Sequence, residues 1–252
     1  MAKCLITTLA ESTGDTSLLK VDEFRFHQNS NSVETMDFWK ANVLQNGIIE
    51  IEGDGYFTDS TGTTNLGKSY TVSGHNTIYI SPGEYDIKVS NKSVYSRIVL
   101  PAGCEFNMES AWGLLHVSYI RINGNAYGDI TPLHYNTTEN HAIRIAGNNV
   151  SGRITSLPTG VVTYLFMNSS QVKGTTTELV ESVFSSSTNV QLLISGMGLS
   201  GPLSAFATLA NLTTLDISNT DVTGDTSDLA SLTKLTAFTY TNTAITGTWP
   251  LV

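Results

Sequence analysis

Leu212-Thr-Thr-Leu215-Asp-Ile217-Ser-Asn-Thr220-Asp-Val222-Thr-Gly224 returns 23 residues later as Leu235-Thr-Ala-Phe238-Thr-Tyr240-Thr-Asn-Thr243-Ala-Ile245-Thr-Gly247. The same places are held upstream by Leu192, Ile194, Leu199 and Gly201, by Leu165, Met167, Val172 and Gly174, and by Ile143, Ile145, Val150 and Gly152. A degenerate copy fits Ile120, Ile122, Tyr127 and Gly128, so the landmark glycines stand 24, 22, 27, 23 and 23 residues apart. A period of this size means stacked supersecondary units, none of which buries its apolar face without a neighbour. In each copy the apolar-x-apolar segment predicts a short strand. Its two apolar side chains point into the stack and the residue between them points out. The polar return after each glycine, such as Pro202 to Leu209, predicts a short helix or 3₁₀ turn.

Over roughly residues 115 to 252 this pattern resembles the leucine-rich-repeat family, with about five to six irregular repeats. The resemblance implies a solenoid whose surface binds or spaces other molecules. One departure stands out. The buried asparagine that the family places after the strand is replaced by Thr220, Thr243, Met197 and Ser170, and Asn148 alone conforms. Thr and Ser cap such a turn more weakly than Asn.

Composition narrows the function classes. Charged residues make up 14% of the 252, against roughly 25% in a typical soluble protein. Ser, Thr, Asn and Gly fill the gap, the texture of β-rich surfaces that present hydroxyls and amides. A formal net charge of −9 without any Lys/Arg cluster argues against nucleic acid, because phosphate binding needs clustered cations. Cys4 and Cys104, the two cysteines, make neither a disulfide framework nor a structural zinc site, and read as free thiols of a reducing cytoplasm. The stretch Met1 to Ala10 turns polar too soon for a signal peptide, and no run approaches the ~20 apolar residues of a membrane span. The expectation is synthesis in the cytoplasm without export by general secretion.

The fold expected is mainly β, in three zones. Residues 1–45 form an N-terminal docking or attachment segment, with strands over Cys4–Leu9 and Leu18–Phe26 and a helix over Val33–Leu44. Residues 46–108 form a small antiparallel β-sandwich or barrel. Its signals are the alternation in Ile49-Glu-Ile51, Thr77-Ile-Tyr-Ile80 and Tyr85-Asp-Ile87-Lys-Val89, and the Ser81-Pro-Gly-Glu84 turn. Residues 109–252 form the leucine-rich-repeat-like solenoid. After the last repeat comes Thr248-Trp-Pro-Leu-Val252, with no polar capping unit. Trp249 and Leu251 therefore either plug the open end or mark an assembly surface covered by a neighbouring subunit.

Motifs for bond chemistry are thin. Gly196-Met-Gly198-Leu-Ser-Gly201 satisfies G-x-G-x-x-G, but Gly201 is the landmark glycine of a repeat and the flanking periods leave no room for a βαβ unit, so no dinucleotide cofactor is expected. Asp54 and Asp59, among glycines, read as turn residues before they read as Ca²⁺ ligands. His134 and His141 have no third ligand, so no metal is expected. There is no G-x-S-x-G, H-E-x-x-H or P-loop, and no catalytic residue is assigned.

Candidate binding residues come instead from the outward strand positions Arg121, Arg144, Phe166, Leu193, Asp216 and Thr239, flanked by Tyr164 and Gln191. Arg121, Arg144, Tyr164, Phe166, Gln191 and Leu193 have the make-up of a protein-contact hot spot, for an outside partner or for self-association. Leu5, Phe24, Phe26, Phe38 and Trp39 are the docking candidates. The repeat style of the C-terminal half, Leu212 to Gly224, is similar to repeats of crAss-like and related phages, and the arrangement of docking segment, β-domain and repeat domain resembles virion structural proteins of tailed bacteriophages. That resemblance implies a non-enzymatic head-fibre, capsid-decoration or tail-fibre component, localised to the virion. Its partners would be capsid or tail proteins, itself as a homotrimer or homodimer, and a host-surface glycan. Two alternatives stand beside it: a bacterial surface adhesin built on leucine-rich repeats, which should carry an export signal, and a glycan-cleaving tailspike, which needs paired Asp/Glu where the strand column offers Asp216 alone.

Overall fold

A computed structural model describes residues 23–40, 46–90, 95–108, 119–130, 136–145, 149–157, 159–184 and 190–249. The chain is mainly β and builds two large mixed sheets, with no closed barrel among the described residues. It divides into two compact units after Asn125.

Unit 1 contains β1 (Glu23–Ser30), β2 (Glu34–Lys40), β3 (Gly47–Glu52), β4 (Phe57–Thr58), β5 (Ser69–Val72), β6 (His75–Ile80), β7 (Gly83–Ser90), β8 (Tyr95–Leu100), β9 (Cys104–Asn107) and β10 (Tyr119–Ile122). One layer runs β9-β1-β7-β3-β5, antiparallel throughout. The other runs β10-β8-β2-β6-β4, antiparallel except for the β10–β8 pair. The layers meet through side chains such as Phe57 of β4 and Tyr70 of β5, with ring centroids 5.7 Å apart. Alternation does the work here: in β3 Ile49 and Ile51 are buried while Ile48 and Glu50 are not, and in β7 Tyr85, Ile87 and Val89 are buried. Cys104 is buried in this core with a free thiol, which desolvation pushes up to about 12.

The helix expected over Val33–Leu44 is corrected: residues 34–40 form β2, and 41–45 lie outside the described residues. The period is two, with Met36 and Phe38 buried and Thr35 and Trp39 exposed. Strand β2 pairs with β6 along Glu34–Trp39 and with β8 along Asp37–Lys40, so ladders on both sides hold its second half. The strand expected at Leu18–Phe26 is observed at Glu23–Ser30, and the one at Cys4–Leu9 lies outside the described residues. Both described strands of the 1–45 zone are woven into the same layers as the strands that follow.

In unit 2 each repeat contributes two strands. The apolar-x-apolar segments are β12 (Asn136–Ile145), β14 (Thr159–Met167), β16 (Val190–Leu193), β18 (Leu212–Asp216) and β20 (Ala237–Thr239). The landmark glycines sit in or beside a second set: β11 (Asn125–Asp129, which begins at the unit boundary), β13 (Asn149–Arg153), β15 (Val172–Thr175), β17 (Gly198–Pro202), β19 (Asp221–Asp225) and β21 (Ala244–Thr246). Each set is a parallel ladder in which a strand pairs with its counterpart one repeat on. Parallel pairing suits strands whose neighbours are a whole repeat away, since the connection must cross back over the stack. The returns carry short helical turns at Ile154–Ser156, Leu203–Thr208 and Thr226–Leu229, with Thr176–Glu178 running on into Leu179–Val183.

The inward positions are filled as the repeat demands. Ile145, Leu165, Met167, Leu192, Ile194, Leu215 and Ile217 are fully buried, and so are Val150, Val172, Leu199 and Val222 from the second set. Gly224 shows why the landmark is glycine: its φ is +140°, and a Cβ there would stand 2.9 Å from Leu203 Cβ, in the return of the preceding repeat. The missing asparagine is replaced by a local bond. Thr220 Oγ1 donates to Ile217 O (2.6 Å) and Thr243 Oγ1 to Tyr240 O (2.7 Å), each closing the turn from inside. Just before these threonines, Asn219 and Asn242 take φ of +57° and +55°, and Asn242 Nδ2 donates to Asn219 Oδ1 at 2.9 Å.

Candidate functional site

Because the first ladder of unit 2 is in register, one outward residue per repeat falls into a row. Arg144 pairs with Phe166, Phe166 with Leu193, Leu193 with Asp216 and Asp216 with Thr239. A parallel row sets Ala142, Tyr164, Gln191, Thr214 and Ala237 beside it. Neighbouring strands stand about 4.8 Å apart, so these side chains touch. The Arg144 guanidinium carbon lies 4.1 Å from the Phe166 ring centroid, and Nη1 donates to Tyr164 Oη at 3.5 Å. Arg144 Nε is buried without a hydrogen-bond partner among the described residues. The cation is thus held by one π face and one long hydrogen bond.

The sequence-derived patch is therefore assembled for five of its six residues: Arg144, Tyr164, Phe166, Gln191 and Leu193 share one face, each half-buried by the others. Arg121 belongs to unit 1, on β10 opposite Val99, where its Nε donates to Asn123 Oδ1 at 2.6 Å. Asp216 is occupied locally, its Oδ1 accepting from Ser218 N at 3.0 Å.

The docking candidates fare differently. Phe24, Phe26 and Phe38 are core residues of unit 1: Phe24 meets Phe106 edge to face at 5.9 Å, and Phe38 meets Tyr95 at 5.1 Å. All three are spent on their own unit. Trp39 is on the outer side of β2, and Leu5 lies outside the described residues. At the other end, Trp249 packs edge-on to Phe238 at 5.5 Å, and Phe238 stacks on Tyr240 at 4.7 Å. Phe238, Tyr240 and Ile245 are only half-buried, unlike their counterparts in every earlier complete repeat, while Leu251 lies outside the described residues.

Asp59 is a turn residue. Its Oδ1 accepts from Thr61 Oγ1 (2.6 Å) and from the backbone N–H of Thr61 (3.0 Å) and Thr63 (3.2 Å), and its Oδ2 from Thr64 Oγ1. The Thr61 and Thr64 hydroxyls hold the carboxyl well below the usual carboxylate range. No group of three or more His, Cys, Asp or Glu among the described residues is placed to hold a metal ion. Two of the G-x-G-x-x-G glycines serve packing: a Cβ on Gly198 would meet Ser170 O at 2.7 Å, and one on Gly201 would meet Thr176 Oγ1 at 2.8 Å.

Reading the sequence missed a second cluster, in unit 1. His75, Trp39, Arg97 and Tyr119 occupy one row across β6, β2, β8 and β10. They lie up to 80 residues apart in the chain and carry no local pattern, so strand pairing alone brings them together. Neither the known protein-family models nor the curated proteins include a match to this chain.

Proposed function

We propose that this chain is a non-enzymatic structural protein of a tailed-phage virion, serving as a head fibre, capsid decoration or tail fibre. In this reading unit 2 is an irregular leucine-rich-repeat-like solenoid that projects from the particle, and the N-terminal region docks it there. The observation that carries the reading is the outward row of unit 2, in which repeat-spaced strands place Arg144, Tyr164, Phe166 and Leu193 side by side with the cation already stacked. Parallel ladders with one buried apolar set per strand suit a stiff projection. A face of Arg, Tyr and Phe is the composition of a protein contact, and the occupant favoured here is a further copy of the chain in a dimer or trimer. The engagement of Asp216 in its own turn supports binding over glycan cleavage at this face.

The test is to separate particles released by lysis from the host envelope and quantify the chain in each by peptide mass spectrometry. Recovery with the particles, at a fixed ratio to the major capsid protein, is the expected result. Recovery in the envelope, with none in purified particles, would overturn the reading and favour a surface adhesin.

A further inference from the structure

We infer that the outer face of the β10-β8-β2-β6 layer in unit 1 is a binding platform for an acidic saccharide. This inference goes beyond the virion reading and does not depend on it. Register puts Trp39 opposite both His75 and Arg97, and Arg97 opposite Tyr119, so four side chains on four adjacent strands form one strip. At about 4.8 Å between strands the strip is roughly 14 Å long. Its members are stacked in sequence. The Trp39 and His75 rings have centroids 4.6 Å apart, and the Arg97 guanidinium carbon lies 5.6 Å from the Trp39 ring and 4.1 Å from the Tyr119 ring. Trp39 is 43% exposed, a large value for a tryptophan pinned in the middle of a sheet.

Three features select the ligand class. The first is size. A stable protein contact buries about 800 Å² per partner. Trp39 is the one exposed large hydrophobic residue on this face among the described residues, since Ile48 lies on the other layer, Leu66 in a loop and Tyr127 in unit 2. One ring-sized apolar platform fits the C–H face of a sugar better than a protein surface. The second is the mixed polarity beside the ring. Arg97 offers donors and Asp37, two residues before Trp39 on the same side of β2, offers a carboxylate. Asp37 Oδ1 and Arg97 Nε are buried and lack a hydrogen-bond partner among the described residues, so it is the remaining polar atoms of the two groups that a ligand would meet. Sugar hydroxyls both donate and accept, which suits a platform that sets a guanidinium and a carboxylate beside one ring.

The third is charge. Arg97 makes cation–π contacts but no ion pair among the described residues, in a chain of net charge −9. On the other layer the cations are matched by their own carboxylates, Arg25 with Glu52 and Lys88 with Glu50. A guanidinium set between two rings and not ion-paired among the described residues is pre-organised for a carboxylate brought by a ligand, such as that of a uronic acid.

The experiment titrates the full chain with three probes: oligogalacturonate, neutral maltohexaose and poly-L-glutamate. Calorimetry and tryptophan fluorescence provide the readouts. Saturable binding of oligogalacturonate is expected, weakened about tenfold or more by Arg97→Gln and by Trp39→Ala, and largely kept by Trp39→Phe. Unchanged thermal unfolding of the exposed-site variants separates loss of the platform from loss of the fold. Equal binding of poly-L-glutamate would mean a general anion or acidic-protein contact and would overturn the inference. Equal binding of maltohexaose would remove the role given to Arg97. Absence of oligogalacturonate binding, or binding indifferent to both Arg97→Gln and Trp39→Ala, would overturn it outright.

Discussion

Gly224 packs its bare Cα against Leu203 and takes a backbone conformation that other residues adopt only at a cost. Gly224→Ala meets both penalties, since positive φ and a 2.9 Å carbon contact act together, and should lower stability by roughly 1–3 kcal/mol. Urea unfolding followed by circular dichroism measures this directly. A stability unchanged within error would show that the return of the preceding repeat is looser than drawn. The same scale explains why the repeat is readable in the sequence. Its signature residues have private physical reasons, an apolar side chain with no exposed area or a glycine with no room for a Cβ, and such reasons leave little choice of residue. Trp39 and Arg97 have no such local signature. Each is an ordinary outward residue of a strand, and only the pairing of β2 with β8 makes them neighbours.

The helical returns are fastened by reciprocal caps. Thr175 Oγ1 accepts from Glu178 N at 3.1 Å while Glu178 Oε2 accepts from Thr175 N at 2.8 Å, and Asp225 and Asp228 do the same two returns further on. These bonds hold the carboxyls of Glu178 and Asp225 below their ordinary values, first through the backbone N–H of Thr175 and of Ser227 respectively. A folded-state pKa below the unfolded one adds stability above the unfolded value, and that stability is lost as pH falls through the folded value. For Glu178 the loss therefore begins below the ordinary 4.5. Glu178→Gln should flatten this part of the acid dependence, so a plot of unfolding midpoint against pH falls less steeply below 4.5 than in the wild type. Parallel plots would refute the assignment. At this scale the sequence showed the first set of strands in unit 2 and the 3₁₀ returns, but not the second set. Each member of that set has three to five residues around one inward apolar side chain, buried in all but β21, and is too short for a period of two to appear. The expected helix in 33–44 failed for the converse reason: partners distant in sequence on both sides made residues 34–40 a strand, which the segment by itself does not show.

For the molecule as a whole, the division after Asn125 separates a layered unit held mostly by antiparallel pairing from a unit held by parallel ladders. Their outward faces differ in kind. The β9-β1-β7-β3-β5 layer of unit 1 carries matched ion pairs, which solvent screens and which contribute little. The row in unit 2 carries Arg144 against Phe166 and Tyr164, a surface with more to gain from a partner. The central claim is that this row is a contact between copies of the chain. Light scattering on a sizing column tests it most directly, for the wild type and for Phe166→Asp, which sets a carboxylate in the middle of the row. The account predicts a wild-type mass of two or three times 27.1 kDa that falls to the monomer mass in the variant. A wild-type monomer, or an oligomer indifferent to Phe166→Asp, would contradict it.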